Sequence, residues 1–594
     1  MDNSEFQLVK MALNLRRKRQ WIKLCSVFLV AVVLCSLKYA GVLIFRRSRY
    51  IAREGSDVSI RSPTLRFSSE NGGTGRYLVR EAGHVWPKPR QQVSTADVFV
   101  LRRGTFNFTY APGSQHCEIL DLAFERYTEI IFSIGEAATS RRCDADTTCP
   151  RELNVLVVSI KEPCEGASPH LDSKENYELT VSREGVKLKA DSVWGALRGL
   201  ETFSQLIYRG EHDLYTVNRT DIQDFPRFPH RGVLLDTSRH FVPVKYILQN
   251  LDAMAFNKFN VFHWHIVDDP SFPYESVTFP ELSKKGAFHP DTHVYTQKDV
   301  RTILEYARLR GIRVMPEFDT PGHTLSWRHG QPGLLTTCYT KSGKHRGAFN
   351  PVHEDTYQFM GKLLKELKDV FPDQLVHLGG DEVNFNCWNN HTDIAKFMEK
   401  QGFHYYAKLQ SYYIQRMIQI VESLGKESAV WEDVICSGSN NDPSFHCQPE
   451  GSVPKNTVIQ VWKRGNWAGK MAQVTQRGLR TILSACWYLD LISLGEDWPP
   501  YYRCDPHAFS GTKAQKDLVL GGEACLWGEF VDWTNLLSRL WPRASVIAER
   551  LWSSEDTTDM DDASVRLGEH RCRMVRRGIP AQPLHPSACP FVPV

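Results

Sequence analysis

Residues 375–383 read LVHLGGDEV, a short run of β-forming apolar residues that ends in two glycines and two adjacent carboxylates. The apolar part has the length of a buried strand, and the glycines permit a tight turn where it ends. Seven further short β-type runs recur along the chain. They are RGVLLDTS (231–238), NVFHWHIVDD (260–269), IRVMPEFD (312–319), SAVWEDV (428–434), TVIQVW (457–462), TILSACWYLD (481–490) and LVLGGEACLW (518–527).

Amphipathic segments with apolar residues at helical spacing separate or follow these runs. They cover residues 245–258, 296–310, 355–370, 404–424 and 535–552. Strand-type runs that alternate with helices eight times predict an α/β protein built on a (β/α)8 TIM barrel. We expect the barrel to occupy residues 221–594, with the C-terminal tail as a strap.

Polar and aromatic residues are concentrated where the runs end. In a TIM barrel the carboxyl ends of all strands meet on one face, and the active site lies there. The residues at these ends are Asp236, Arg239, His263, His265, Asp268, Asp269, Glu317, Asp319, His323, Asp381, Glu382, Trp431, Glu432, Trp462, Tyr488, Asp490, Trp527 and Glu529. The sequence therefore predicts one polar cleft on that face.

Asp381 and Glu382 are the leading candidates for chemistry. Consecutive residues at a strand end point in different directions, so this pair can approach one sugar from two angles. Two carboxylates beside one bond are what a glycosidase requires. A metal site is the alternative, but the chain has no HExxH motif, and we expect neither a metal nor another cofactor.

Two regions precede the barrel. Residues 96–220 contain alternating strand-type runs and a helical segment at 192–206, which predicts a small non-catalytic α+β domain. Residues 46–95 are rich in Arg, Ser, Gly and Pro without clear periodicity, which is typical of a stalk or linker.

The N-terminal region contains a hydrophobic stretch at residues 24–45. It can span a bilayer as a signal anchor if Lys38 reaches the interface, which leaves residues 1–23 as a cytoplasmic tail. A cleaved signal peptide is the alternative, although the basic leader is long for one. The net charge is +4, and much of the positive excess lies near this end. The rest of the chain is roughly balanced in charge, so we expect no nucleic-acid surface.

Cysteines and sequons favour an oxidising lumenal or extracellular compartment. All of the 15 cysteines except Cys25 and Cys35 follow the hydrophobic stretch, and no CxxC pair occurs. Glycosylation sequons begin at Asn107, Asn218 and Asn390. Connectivity cannot be deduced from sequence, but we expect bridges Cys338–Cys387, Cys436–Cys447, Cys504–Cys525 and Cys572–Cys589, with Cys486 unpaired.

Several motifs together resemble glycoside hydrolase family 20, the β-N-acetylhexosaminidases. They are WGALRGLETFSQL, RGVLLDTSRHF, HWHIVDDPSFP, PEFDTPGH, HLGGDEV, WYLD and GGEACLWGE. The resemblance extends from about residue 96 to the C-terminus. It implies a barrel that removes terminal β-linked N-acetylglucosamine-type sugars with retention, using the 2-acetamido group of the substrate as the nucleophile.

The resemblance also implies a role for each matching residue. Glu382 would be the general acid and base, Asp381 would orient the acetamido group, and Tyr488 would hydrogen-bond its oxygen. Asp268 and His323 would support Glu382, whereas His263 and His265 are expected to be packing or supporting groups. The residues implied to bind or enclose the sugar are Arg239, Trp431, Trp462, Asp490, Trp498, Trp527 and Glu529.

The anchor suggests which hexosaminidase this is. The chain resembles most the insect fused-lobes type, membrane-anchored enzymes that remove β1,2-linked N-acetylglucosamine from the α1,3 arm of N-glycans. That implies a single-pass type II protein of the Golgi or plasma membrane. The alternative is a secreted or lysosomal enzyme that degrades chitooligosaccharides or glycoconjugates. A remote alternative is an inactive sugar-binding protein or receptor. The family also allows a homodimer.

Overall fold

The computed structural model describes residue 79 and residues 81–590, except residues 115, 134–149, 165, 211–213, 341–342, 438–445, 448–451 and 492–494. The predicted tail (1–23), the predicted anchor (24–45) and most of the predicted stalk therefore lie outside the described residues. Within the described ranges, no helix is both long enough and apolar enough to cross a membrane.

The small domain is a mixed sheet packed against helices. Its strands run in the order β2-β4-β6-β5-β8-β1-β3, and β7 pairs with β8. Helix α2 packs on the sheet, and α1 packs on α2. The elements are β1 (Gln91–Leu101), β2 (Asn107–Tyr110), α1 (Glu118–Ile131), β3 (Arg151–Glu152), β4 (Val155–Ile160), β5 (Tyr177–Ser182), β6 (Gly185–Ala190), α2 (Val193–Leu206), β7 (Tyr208–Arg209) and β8 (Tyr215–Asp224).

The remaining strands form a closed barrel and two hairpins. They are β9 (His230–Asp236), β10 (Val261–Val267), β11 (Arg313–Phe318), β12 (Leu335–Thr340), β13 (Gly343–Phe349), β14 (Leu375–His377), β15 (Glu427–Trp431), β16 (Cys436–Ser437), β17 (His446–Cys447), β18 (Val458–Val461), β19 (Arg480–Leu483) and β20 (Val519–Leu526). Strands β9, β10, β11, β14, β15, β18, β19 and β20 pair in parallel around the barrel. The prediction of a (β/α)8 barrel is confirmed.

Helices surround this barrel, and Val244–Phe256, Gln297–Arg308, Glu354–Val370 and Tyr406–Ser423 lie near segments that periodicity predicts. The helices are α3 (Val244–Phe256), α4 (Glu281–Gly286), α5 (Gln297–Arg308), α6 (Glu354–Val370), α7 (Asn386–Asn389), α8 (Thr392–Gln401), α9 (Tyr406–Ser423), α10 (Trp467–Gln476), α11 (Trp498–Arg503), α12 (Lys513–Lys516), α13 (Leu536–Leu540), α14 (Arg543–Trp552) and α15 (Met560–Arg576). The single helix predicted at 535–552 is two helices, because Pro542 cannot donate the backbone hydrogen bond that a continuous helix needs.

The barrel interior has an apolar lower layer and a polar upper layer. The lower layer contains Val261, Met315, Leu375, Ala429, Val458, Ile482 and Leu520. Two residues further along the same strands stand His263, Glu317, His377, Trp431 and Gln460. Side chains that are two positions apart on a strand share a face, so these residues also point inward. The polar layer lies directly beneath the carboxyl ends of the strands.

Buried ion pairs fix the small domain to the barrel. Glu175 accepts hydrogen bonds from Arg198 at 2.9 Å and from Arg231 of β9 at 2.6 Å. Lys258, which follows α3, donates to Asp224 of β8 at 3.0 Å. Because breaking a buried pair leaves an uncompensated charge, these pairs hold the two domains in one arrangement.

The stalk predicted at 46–95 is wrong from residue 81 onward. Trp86 is fully buried, and its indole N–H donates to the backbone carbonyl of Ser545 at 2.8 Å. The backbone N–H of Trp86 donates to the side-chain oxygen of Gln205 at 2.7 Å. The segment has neither helical nor strand periodicity, but its tryptophan packs between the small domain and the C-terminal helices. Sequence periodicity cannot reveal such irregular, long-range packing.

The structure contains disulfides Cys117–Cys164, Cys338–Cys387, Cys486–Cys504 and Cys572–Cys589. The expected Cys504–Cys525 bond is wrong, as is an unpaired Cys486. Cys525 is instead a buried free thiol on β20, inside the barrel. The backbones of Cys436 and Cys447 pair directly across from each other in the β16–β17 hairpin, but their side chains are not described, so that bond stays a prediction.

The three sequons differ in their surroundings. Asn107 and Asn390 are exposed. Asn218 lies on β8, where its amide nitrogen donates to the carbonyl of Thr95 at 2.8 Å and its oxygen accepts from Tyr208 at 2.8 Å. A glycan on Asn218 would leave this nitrogen a single N–H with which to keep the first of these bonds.

Candidate active site

A cavity of about 460 Å³ opens at the carboxyl ends of the barrel strands. This volume is within the range of small-molecule sites. Its lining residues are Arg239, His323, Asp381, Glu382, Trp462, Tyr488, Asp490, Leu491, Trp527, Glu529 and Phe530. Nine of these eleven residues were candidates from the sequence, all except Leu491 and Phe530. Asp268 and Trp431 lie just beneath the cavity and are almost fully buried.

The turn after β14 places two carboxylates in different environments. Gly379 has φ 71°, and a Cβ there would come within 1.7 Å of the Asp319 carboxylate, so only glycine fits. Glu382 also has a positive φ of 49°, a backbone conformation that is rare for a residue with a side chain. In this turn the Asp381 side chain is 12% exposed, whereas that of Glu382 is 58% exposed.

Asp381 lies in a buried group of carboxylates beside His323. Burial raises the pKa of Asp381 to about 6. Burial and the Asp381 charge raise the pKa of Asp319 well above its usual value. His323 Nε2 lies 3.7 Å from oxygens of both Asp381 and Glu382. A cationic His323 can therefore interact with both carboxylates at once.

Arg239 is held by three carboxylates at the edge of the cavity. Its guanidinium lies 3.1 Å from Asp236, 2.9 Å from Asp268 and 3.9 Å from Glu529. It also lies over the ring of Trp527, 5.2 Å from the centroid. The planar guanidinium is thereby fixed, with donors available to a hydroxyl-rich ligand.

Aromatic rings form one wall of the cavity. Trp462 stacks on Tyr488 with 6.0 Å between centroids, and Trp431 lies 5.9 Å from Trp527. The Trp462 indole N–H donates to Asp433 at 2.8 Å, which fixes the orientation of that ring. Apolar ring faces in contact with a polar cleft suit the C–H faces and methyl group of an N-acetylated sugar.

Some polar atoms in this wall and floor have no hydrogen-bond partner among the described residues. They are Asp381 Oδ1, Asp490 Oδ1 and Trp527 Nε1. Buried polar atoms are nearly always paired, so these atoms mark places beside the cavity where an ordered water or a polar ligand can supply a partner.

Family models match most of the chain. The model of the glycosyl hydrolase family 20 catalytic domain matches residues 228–555, and a second model, described as beta-acetyl hexosaminidase like, matches residues 85–206. The chain belongs to glycosyl hydrolase family 20. The first match covers the eight barrel strands, and the second covers the small domain except β7 and β8.

Similar proteins support the same assignment. Beta-hexosaminidase subunit beta of Homo sapiens is 50% identical over 513 residues, which cover 85% of this chain and 89% of that protein. Beta-hexosaminidase subunit alpha of Rattus norvegicus is 49% identical over 514 residues, with 85% and 94% covered. The predicted β-N-acetylhexosaminidase activity is confirmed at the level of the family; these relatives do not confirm the fused-lobes type.

A solved structure also resembles the chain. The chitobiase of Flavobacterium johnsoniae superimposes with a TM-score of 0.72 at 28% identity, covering 83% of this chain and 73% of that chain. An exo β-N-acetylglucosaminidase from Vibrio harveyi, solved with N-acetylglucosamine, has a TM-score of 0.70 at 24% identity, covering 87% and 80%. The second likeness supports the fold alone.

Two of the predicted sugar-binding residues do not line the cavity, namely Trp431, which lies beneath it, and Trp498. Trp498 is buried in α11, with its ring 6.0 Å from that of Tyr502. Leu491 and Phe530 lie at the rim and were not among the candidates from the sequence; Phe530 is 82% exposed. Phe530 directly follows the GGEACLWGE motif, but nothing in the sequence distinguishes an exposed aromatic residue from a packed one.

Three groups of side chains in the described part of the chain lie close enough to share a metal ion. They are His263–Glu317–His377, Asp268–Asp269–His323 and Asp319–His323–Asp381. Both oxygens of Glu317 already accept N–H groups, from Trp431 and His265 at 2.7 Å each. Such an arrangement is that of a hydrogen-bond network, and the expected absence of a metal stays a prediction.

Proposed function

We propose that this family 20 enzyme cleaves terminal β-linked N-acetylglucosamine with the substrate's acetamido oxygen as nucleophile. Glu382 protonates the glycosidic oxygen and then deprotonates the attacking water. Asp381 stabilises the positive charge that develops on the acetamido nitrogen. The observation that carries this proposal is the contrast between the two adjacent carboxylates, since Glu382 is exposed to the cavity and Asp381 is buried beside the aromatic wall.

The cavity supports a specific placement of the sugar. Tyr488 and Trp462 enclose the acetamido group, with the Tyr488 hydroxyl donating to its carbonyl oxygen. Burial raises the pKa of Tyr488 well above its usual value, so this hydroxyl keeps its proton at any working pH. Arg239, Asp490 and Glu529, at the cavity edge, bind the ring hydroxyls. Asp268 and His323 orient Glu382.

Substitution of Glu382 by Gln tests the mechanism. We expect turnover of an aryl N-acetyl-β-glucosaminide to fall by at least about 100-fold, since the general acid is lost. Glu399→Gln, on the exposed face of α8, is the matched control and should keep wild-type kcat. A thiazoline that mimics the cyclic intermediate should inhibit competitively. Ordinary turnover by Glu382→Gln, or indifference to the thiazoline, would refute this mechanism.

We also propose that the natural substrate is an N-glycan, with release of the β1,2-linked residue of the α1,3 arm. The hydrophobic segment at residues 24–45 supports this, because it suits a single-pass type II enzyme of the Golgi or plasma membrane. The second candidate is a secreted or lysosomal enzyme that degrades chitooligosaccharides or glycoconjugates. The likeness to a chitobiase favours that alternative.

One digestion separates the two substrates. The enzyme is offered a biantennary N-glycan and chitotriose at equal concentration, and the products are resolved by mass and arm. Faster cleavage of one glycan arm supports N-glycan trimming, whereas faster cleavage of chitotriose supports the alternative. Sedimentation of the same sample would test the homodimer.

A further inference from the structure

Glu317 is a buried carboxylate that the proposed mechanism does not use. It lies on β11 in the polar layer of the barrel and is fully buried. Burying a charge is costly unless it is paired and hydrogen-bonded. Side-chain nitrogens of His263, His265, His377 and Trp431, from three other barrel strands, lie within 3.1 Å of its two oxygens. The position of Glu317 is therefore determined by long-range contacts.

One oxygen of Glu317 begins a chain of contacts toward the acid/base residue. Its Oε2 lies 2.7 Å from His265 Nδ1, and His265 Nε2 lies 2.8 Å from Asp268. Asp268 in turn lies 3.2 Å from His323 Nδ1. His323 Nε2 then faces Glu382 at 3.7 Å.

The other oxygen supports the aromatic wall. Its Oε1 accepts the indole N–H of Trp431 at 2.7 Å. Trp431 packs against Trp462 and Trp527, with centroids 6.5 Å and 5.9 Å away. The same oxygen lies 3.1 Å from His377 Nδ1. A single carboxylate thus touches both the acid/base side and the acetamide side of the site.

The charges around Glu317 are balanced within the layer. Burial alone would raise the pKa of Glu317, but His377 and His265 hold it well below its usual value. Burial would lower the pKa of His265, but Glu317 and Asp268 raise it well above its usual value. His263 lies between Glu317 and Glu523, 3.0 Å and 2.8 Å from their oxygens. Other titratable groups that feel the charge of Glu317 are Cys525, Asp319 and Asp381.

We propose that Glu317 is a positioning residue that fixes the His265–Asp268–His323 contacts to Glu382 with one oxygen and the Trp431 wall with the other. The inference rests on the proposed roles of Glu382 and Asp381. It adds that the protonated state and orientation of His265 are set from the barrel interior.

Glu523 provides a matched control. It is an equally buried carboxylate of the same layer, on β20, and it lies 2.6 Å from His230 Nε2 and 2.8 Å from His263 Nδ1. It also accepts from Gln460 at 2.8 Å. Among the described residues, it hydrogen-bonds neither His265 nor Trp431. If Glu317 had a purely structural role, Glu317→Gln and Glu523→Gln would have similar effects on kcat and on the pH–rate profile.

The test compares Glu317→Gln with Glu523→Gln on an aryl N-acetyl-β-glucosaminide. Glutamine can keep the Trp431 bond through its amide oxygen, but it presents an uncharged NH2 to His265. We expect Glu317→Gln to lower kcat at least about tenfold while KM changes less than about threefold. At least one limb of its pH–rate profile should move by about half a unit or more. Glu523→Gln should keep kcat within about threefold and leave both limbs in place.

If Glu317→Gln does not fold, His265→Gln is the replacement variant, because it removes the imidazole that contacts Asp268 and keeps the Glu317 carboxylate. It should also lower kcat and move the profile. Wild-type kcat and profile in the folded variant, or the same loss and shift in Glu523→Gln, would overturn the inference. Glu382→Gln assayed alongside separates the outcomes: if it retains turnover, the proposed function has failed rather than the role of Glu317.

Discussion

Two disulfides of nearly equal span provide a matched pair of perturbations. Cys486 and Cys504 are 18 residues apart, and Cys572 and Cys589 are 17 apart. In the chain-entropy view a bridge that closes a loop of this length stabilises the fold by about 3 kcal/mol. Cys486→Ser/Cys504→Ser and Cys572→Ser/Cys589→Ser should therefore lower the free energy of unfolding by similar amounts, about 3 kcal/mol each.

Only the first bridge should affect catalysis. It closes the segment that contains Tyr488 and Asp490, which line the cavity, whereas the second ties the C-terminal tail to α15. Arg543 also holds this segment, donating to the carbonyls of Leu489 at 2.6 Å and Leu491 at 3.1 Å. Partial restraint therefore remains, and we expect kcat/KM to fall about tenfold, less than the roughly 100-fold loss that a 1 Å displacement can cause.

Urea unfolding and steady-state kinetics on both double variants test this expectation. Peptide mapping of the wild type under non-reducing conditions should recover Cys486 linked to Cys504 and Cys525 as a free thiol. Equal kcat/KM in the two double variants would refute the reasoning, because the loss would then follow from stability rather than from the loop. A Cys504–Cys525 peptide would refute its structural basis.

The other predictions concern groups in the cavity. Tyr488→Phe should lower kcat/KM by about 100- to 1,000-fold with little change in thermal stability, since it removes a single oriented donor; a loss below about threefold would remove Tyr488 from the mechanism. Because burial raises the pKa of Asp381 to about 6, kcat/KM should fall as the pH drops below about 6 and this carboxylate gains a proton. The pH–rate profile of Asp381→Asn should lack this acidic limb. A wild-type profile that stays flat down to about pH 5 would contradict the role of Asp381.

The fold could be predicted from the sequence because its pattern is local and repeated. Each strand run is a few residues long, and each helix shows its apolar stripe within a few turns. The alternation of side chains along β20 also indicates which residues point into the barrel, and the predicted Cys504–Cys525 bond did not take this into account. Glu523, Cys525 and Trp527 alternate on one face, and Glu523 and Trp527 belong to the polar layer and the cavity wall. A thiol on that face points into the barrel.

The contacts that could not be predicted are those between distant residues. Which histidine meets which carboxylate depends on the register of neighbouring strands, and His263 and Glu523 are 260 residues apart. The buried position of Trp498 and the exposed position of Phe530 depend on loop packing that has no period. Composition and motifs therefore identified most of the cavity residues, whereas their pairings required the closed barrel.

The environments of Asp381 and Glu382 explain why one loop could provide two different functions. A charge that forms near a buried carboxylate is stabilised more strongly than one that forms near an exposed carboxylate, because water screens the exposed group. On the proposed mechanism the acetamido nitrogen becomes positive beside buried Asp381, whereas water must reach exposed Glu382 in the second step. A sugar with a hydroxyl at C2 would supply neither the nucleophile nor the charge that Asp381 stabilises. On this mechanism the preference for a 2-acetamido sugar follows both from the nucleophile that the sugar supplies and from the burial of Asp381.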